Sequence, residues 1–275
     1  MMLSHMELSE ISVIVPVKDN SKGIHQLLHS FFNTQDRHEY PKEIIIVDNL
    51  SKIEITLDDS FFNRGIPIHL LKCDKKGPAA ARNTGAKMAT GKWLLFTDSD
   101  CVFTSTTLKG YLNTDENGIA FAGNVIPLKK NIISDYYRQL NVLVPLVNPH
   151  DQNSPWYLVS ANCLIKRSNF IQVNGFCEDF EQASGEDVDL GLRLAKTGKL
   201  YFALSSLIQH DFKNNIFDFY SRFVRYGEGH YSLGKKYGID ISPKPIIPAK
   251  KSIANRILAT IHYLALKIGY FKYRD

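Results

Sequence analysis

The sequence predicts an α/β fold: a mostly parallel central sheet flanked by helices, with a helical C-terminal extension. Three observations predict it. Strand-like and helix-like stretches alternate four times within the first hundred residues, the order that generates parallel strands with helices on the sheet faces. The strand-like runs are continuous in Ile, Val and Leu, as strands buried on both faces are. The runs stop at polar clusters, Pro16 to Asn20, Asp48-Asn49 and Asp98 to Asp100, and in open parallel sheets ligands bind beyond the carboxyl ends of the strands.

Ile11 to Val17 reads as the first buried strand. Gly23 to Thr34 carries Ile24, Leu27, Leu28, Phe31 and Phe32 at helical spacing. Glu43 to Val47 is a second strand and Pro67 to Leu71 a third. Ala79 to Ala89 is an alanine-rich helix, with Gly77-Pro78 before it and Gly91 after it. Trp93 to Phe96 is a fourth strand. Ile119 to Val125 and Trp156 to Ile165 read as strands, separated by a loop at Asn148 to Pro155. Helices are predicted at Ser184 to Thr197, at Phe217 to Tyr237 and, after a Pro/Lys linker beginning at Pro243, in the basic apolar tail. The implied organisation is a tag-like or disordered 1–10, halves 11–115 and 116–215 of one domain, and an extension 216–275.

Composition limits the function classes. The chain has 275 residues, 44% of them hydrophobic, so it can build a substantial core. Its 33 basic and 28 acidic residues leave a mild net charge of +5, which favours anionic small molecules or lipid head groups without demanding nucleic acid. Four scattered cysteines, with no C-x-x-C pair, read as reduced thiols. No apolar run reaches the length of a membrane span. The expected place of work is the cytosol or its membrane face.

Asp98-Ser99-Asp100 follows the fourth strand. If the chain stays extended there, both carboxylates point the same way and suit a hard cation, Mg²⁺ or Mn²⁺, able to neutralise a diphosphate leaving group. A polar turn after a strand uses the same residue types, so the motif by itself leaves both readings open.

Context narrows them. Gly77-Pro78-Ala79-Ala80-Ala81-Arg82-Asn83-Thr84-Gly85, Ala89-Thr90-Gly91 and Phe96-Thr97-Asp98-Ser99-Asp100 together resemble the signature of family 2 glycosyltransferases of the GT-A fold. So do Val13 to Val17, Ile46-Val47-Asp48 and Gly185 to Leu190, in the family's order, over about Ile11 to Arg193. The resemblance implies that Pro16 and Val17 line a nucleoside pocket with Asp19 nearby. It implies that Asp48 bonds the base, typically uracil, and that Arg82 contacts the donor. The Asp98-Ser99-Asp100 stretch would engage the ribose and metal, and Glu186-Asp187 would supply the base of an inverting enzyme. The chain departs from the family's pattern at Lys18-Asp19-Asn20, where Tyr-Asn or Arg-Asn is frequent, and at Asp48-Asn49-Leu50-Ser51, where Asp-Asp-Gly-Ser is frequent.

Inverting transfer needs a carboxylate that takes the proton of the incoming hydroxyl from the side opposite the leaving diphosphate. Asp187 is assigned that role, with Glu186 positioning it or touching the acceptor. Ser184-Gly185-Glu186-Asp187 also reads as a capping box opening a helix, whose dipole would keep the acid ionised. Asp189 is expected to face solvent or a local cation. His210, at a strand end, is a candidate further metal ligand or a structural histidine. Arg222 and Arg225, one helical turn apart, either clamp the diphosphate or form a solvated basic face. Lys75 and Lys76 read as solvated loop charges, and Trp156 as a core aromatic or a sugar-stacking ring.

In the tail, Lys250, Lys251, Arg256, Lys267, Lys272 and Arg274 interleave with apolar residues. The reading is a peripheral membrane helix, a helix packed on the domain, or a dimer contact.

The expected activity is transfer from a UDP-sugar, with Mn²⁺ or Mg²⁺, to a carbohydrate, glycolipid or protein acceptor. The alternatives are a nucleotidyltransferase on a similar fold, whose Gly-rich basic loop after the first strand is not seen here, and a non-catalytic sugar-nucleotide-binding module. A dinucleotide-binding dehydrogenase is disfavoured because no G-x-G-x-x-G follows Val15.

Overall fold

The computed structural model describes residues 6–112, 114, 117–248, 250 and 252–272. The tail residues Lys251 and Arg274 lie outside them. The first half alternates as the sequence predicts: β1 (Ile11–Val17), α1 (Ser21–Thr34), β2 (Glu43–Asp48), a short α2 (Asp59–Phe62), β3 (Ile68–Lys72), α3 (Pro78–Met88) and β4 (Trp93–Thr97). Then come β5 (Cys101–Phe103), β6 (Ala120–Pro127), α4 (Ile132–Gln139), the hairpin β7 (Val147–Asn148) and β8 (Asp151–Pro155), and β9 (Asn162–Lys166). The chain continues through α5 (Arg167–Gln172), α6 (Glu186–Leu194), β10 (Leu200–His210), α7 (Ile216–Tyr237) and α8 (Ile253–Lys272).

Eight strands form one sheet in the order β3-β2-β1-β4-β9-β6-β10-β5. β1 pairs in parallel with β2 and β4, β2 with β3, and β6 with β10. β9 is inserted antiparallel between β4 and β6, and β5 closes the edge antiparallel to β10. The sheet is buried on both faces, which is why β1 and β2 are nearly uniform in apolar residues. Val13 and Val15 pack toward α1, and Ile14 packs on the opposite face with α3 and α6. Each such fully buried side chain contributes about 1.5–3 kcal/mol by leaving water. α4, α7 and α8 share a third apolar cluster around Tyr136, Phe219 and Phe223.

Several expectations are corrected. Residues 148–155 are a β-hairpin with a turn, not a loop, and 156–161 do not continue as strand; β9 starts only at Asn162. Trp156 follows the outlying hairpin and is 47% exposed, so it is not a core aromatic. α6 is shorter than Ser184 to Thr197. Within the segment expected to be tag-like or disordered, Leu8–Glu10 form a 3₁₀ turn with Leu8 in the core. β5, α4 and α5 were not anticipated. All four cysteines are free thiols.

Candidate active site

α3 carries the central cation. Gly85 lets this helix lie against the sheet, since a Cβ there would stand 2.6 Å from Ile14 Cγ2. One turn earlier, Arg82 is buried between the end of β4 and the start of α6. Its Nη2 donates to Asp98 Oδ1 at 2.7 Å and its Nη1 to Glu186 Oε1 at 2.9 Å. Its guanidinium lies over the Phe176 ring at 5.4 Å. Burial works against the charge, but Asp98, Glu186 and Asp187 outweigh it and hold the guanidinium above its ordinary value.

α6 begins at Gly185, whose φ of +118° is a left-handed conformation open to glycine. The predicted capping box does not form. Gly185 is the N-cap, and Ser184 Oγ donates instead to the Gln182 carbonyl. Glu186 accepts from Ser184 N–H with Oε2 at 2.9 Å and from Arg82 with Oε1, so both its oxygens are committed. Asp187 is the other acid of the pair. Its Oδ2 accepts from Ser160 N–H at 3.1 Å and its Oδ1 from Val188 N–H at 2.8 Å. Burial, then the Glu186 charge, push its carboxyl up to about 7. The helix N-terminus therefore does not keep Asp187 in the ordinary carboxylate range. Asp189 does not reach solvent but meets local cations, the other expectation: it is fully buried and bonded to Arg193, Lys236 and Tyr237.

Asp98 to Asp100 is a turn, closed by a Cys101 N–H to Asp98 carbonyl bond of 3.0 Å. The extended geometry that would aim both carboxylates one way is absent: Asp98 bonds Arg82, while Asp100 Oδ1 lies 3.2 Å from His210 Nε2. Ser99 turns toward α1, where Asn20 Nδ2 donates to its carbonyl and Oγ. The β5–β10 pairing sets His210 opposite Cys101. His210 is buried, stacks on Phe212 at 4.4 Å, and its Nδ1 has no partner among the described residues. Burial lowers its pKa against the pull of Asp100, leaving a neutral imidazole. One donor atom each from Asp100, Cys101 and His210 lie within 4.8 Å of one another. Burial raises the Cys101 thiol above its ordinary value, and a soft sulfur suits a hard divalent cation poorly, which leaves Asp100 and His210 as the candidate ligands. The carboxylate suits Mn²⁺ or Mg²⁺, and the neutral imidazole offers one nitrogen donor beside it.

α7 brings Arg222 and Arg225 to the same place rather than to a solvated face. Arg222 lies over the rings of Phe212 at 5.1 Å and Tyr137 at 5.9 Å. Burial and then the Arg222 charge push the Arg225 guanidinium below its ordinary value. Among the described residues neither forms an ion pair with a carboxylate. A cavity of about 260 Å³ is lined by Arg82, Asp98, Asp187, His210, Arg222 and Arg225. Next to it, about 210 Å³ is lined by Asp100, Tyr137, Lys213, Asp218 and the same two arginines.

Pro16, Val17, Asp19 and Asp48 line neither space. They lie together at the ends of β1 and β2, where Val17 stands opposite Asp48. There Asp48 accepts from Ser51 N–H, and Asp19, at φ +51°, accepts from Lys52 N–H. Lys75 and Lys76 are exposed loop charges, as expected, and pair at the surface with Glu178 and Glu181. Sequence reasoning missed Ser160, which anchors Asp187, and Tyr226, which accepts a long 3.4 Å bond from Arg222. A lone Ser before a strand and a Tyr in an aromatic helix carry no local signal of these roles.

A sequence model described as glycosyl transferase family 2 matches residues 12–173. The chain is 30% identical over 250 residues to a pre-mycofactocin glycosyltransferase of Mycobacterium tuberculosis, covering 85% of this chain and 49% of that one. The chain thus spans about half the length of that relative. Among solved structures it resembles a mannosyltransferase from Pyrobaculum calidifontis in complex with GDP-Man and Mn²⁺, with TM-score 0.61, 17% identity, and 94% and 72% of the two chains covered. It also resembles Staphylococcus aureus TarS in complex with UDP, with TM-score 0.56, 16% identity, and 98% and 91% covered. These likenesses show a GT-A fold.

Proposed function

The chain belongs to glycosyl transferase family 2, and on that premise we propose that it moves a sugar, with inversion, from a UDP-sugar to an acceptor hydroxyl. One observation carries the reading. The Asp98 turn after β4, the first turn of α6 with Asp187, and the arginine pair of α7 converge on one cavity.

Asp187 is the base. Of the adjacent acids it is the one not bound to Arg82, and its raised pKa makes it a better proton acceptor than an ordinary carboxylate. The acceptor oxygen bonds to the anomeric carbon as the bond to the diphosphate oxygen breaks, and the hydroxyl proton passes to Asp187. Arg222 and Arg225 receive the departing diphosphate. Arg82 and Glu186 hold the base and the strand-end turn in register. Asp98 and the β1/β2 cluster with Asp19 and Asp48 face the nucleoside. Asp100 and His210 would hold Mn²⁺ or Mg²⁺, which when bound supplies positive charge to the leaving diphosphate.

The sugar class proposed is a hexose or N-acetylhexosamine, and the acceptor a polysaccharide, glycolipid or glycoprotein. Support comes from relatives named as a mannosyltransferase and as a poly(ribitol-phosphate) β-N-acetylglucosaminyltransferase. The test is release of nucleoside diphosphate from a panel of UDP-sugars and GDP-Man, with and without Mn²⁺. Metal-dependent release from UDP-sugars supports the reading; equal release without metal, or a preference for GDP-Man, overturns the metal or donor assignment respectively. UDP binding with no turnover on any acceptor returns the protein to a binding module.

A further inference from the structure

We propose that α8 docks the protein, lying in plane, on the surface of an anionic phospholipid bilayer. One face of α8 is spent inside the protein, where Leu258, His262, Ala265 and Leu266 pack in the cluster shared with α4 and α7. The fit to α7 is backbone to backbone. A Cβ on Gly227 would lie 2.1 Å from the Leu266 carbonyl oxygen, and one on Gly269 1.8 Å from that of Val224. So close a contact fixes the rotation of α8, which cannot roll to bury its other side.

That other side is apolar. Ile253, Ile257, Leu264, Ile268 and Phe271 are 80%, 55%, 50%, 48% and 43% exposed. At 3.6 residues per turn their spacing confines them to an arc of roughly 60° on the side turned away from the packed face. From Ile253 to Lys272 the helix contains no Asp or Glu. Arg256 and Lys267 border the stripe, and Lys267 Nζ lies over the Tyr263 ring at 5.6 Å. An apolar stripe rimmed by basic and aromatic residues is the pattern of a helix lying in the head-group region, its charges on anionic lipid.

Two other occupants fit less well. No helix among the described residues is long and apolar enough to cross a membrane. A second copy of α8 would set the same basic rims against each other with no carboxylate between them.

The test is co-sedimentation of the whole chain with vesicles of phosphatidylglycerol and phosphatidylcholine in equal parts, against phosphatidylcholine alone. The expected result is binding to the anionic vesicles that weakens as salt rises. The triple variant Ile257→Ser, Leu264→Ser, Ile268→Ser should lose about tenfold or more of the partition coefficient, because the apolar area drives insertion. Arg256→Gln with Lys267→Gln should lose the preference for the anionic lipid. Each variant should keep the wild-type circular dichroism and nucleotide binding, since these side chains point away from the core and the cavity. Wild-type protein that stays in the supernatant overturns the proposal, as does a triple variant that binds like wild type. A stable dimer in solution that the triple variant abolishes, without vesicle binding, assigns the stripe to a second copy and also overturns it.

Discussion

At one end of the cavity Arg82 sits between Asp98 and Glu186 within 2.9 Å of each. At the other end Arg222 and Arg225 stand one helical turn apart with aromatic rings for neighbours and, among the described residues, no carboxylate in an ion pair. In the first arrangement the cation is already paired before any ligand arrives. Both Nη groups of the guanidinium are spent on joining α3, β4 and α6, and only its buried Nε–H has no partner among the described residues. The second is incomplete: two cations brought together out of bulk water repel, and an incoming anion relieves that repulsion. Structure is held where the cation is paired with carboxylates, and a ligand is awaited where cations are not.

Substitutions separate the two ends. The largest effect is expected at Asp187, between them. Asp187→Asn should lower the transfer rate roughly 10²–10⁴-fold, the contribution of a positioned general base, with nucleotide binding unchanged in a thermal-shift titration. Activity of the unaltered protein should rise with pH through about 7 as this carboxyl loses its proton. A rate flat from pH 5 to 8 would remove Asp187 from the mechanism.

Arg82→Met attacks the paired end. It leaves Glu186 buried without its partner, and urea unfolding should show a loss of about 3–5 kcal/mol. If stability is unchanged, the comparison fails, because Arg82 would then be a ligand contact and not a brace.

Arg222→Gln and Arg225→Gln attack the unpaired end and should behave oppositely. Each should weaken UDP binding by roughly ten- to hundredfold, as for loss of a hydrogen bond to a charged group, while the ligand-free protein melts no lower than the original. Destabilisation on the Arg82 scale would show that the pair braces the fold.

A last readout concerns Asp187 in stability alone. A carboxyl raised from 3.8 to about 7 by folding costs stability progressively as pH rises across that window, because ionising it is harder in the folded state than in the unfolded chain. Asp187→Asn escapes this cost. Its melting temperature should match the original near pH 4 and exceed it at pH 8; equal values at both would show that the carboxyl is not perturbed.

The parallel half of the fold was legible because its elements obey local rules. Ile11 to Val17 and Glu43 to Val47 are apolar throughout since both sheet faces are covered, and Gly77-Pro78 announces α3. The residues 148–161 were misread since hairpin pairing and the solvent side of Trp156 depend on where the segment is held, not on its composition. In the candidate site, the acidic pair and the strand-end turn carried a signal in their motifs, whereas Ser160 had none.

From its own residues the chain determined the alternation of strands and helices in its parallel half, the family, and which acids and bases were candidates. Tertiary structure alone decided their partners: Glu186 is paired with Arg82, Ser99 with Asn20 and Asp189 with three neighbours, whereas Asp187 lines the cavity held by the Ser160 and Val188 N–H groups and not by a cation, and Arg222 and Arg225 line it without a carboxylate pair among the described residues. The physical reason is that a charge's chemistry depends on its partners and its solvent. For this site those partners come from elements about a hundred residues apart, as Arg82 and Glu186 do, a separation that no local pattern records.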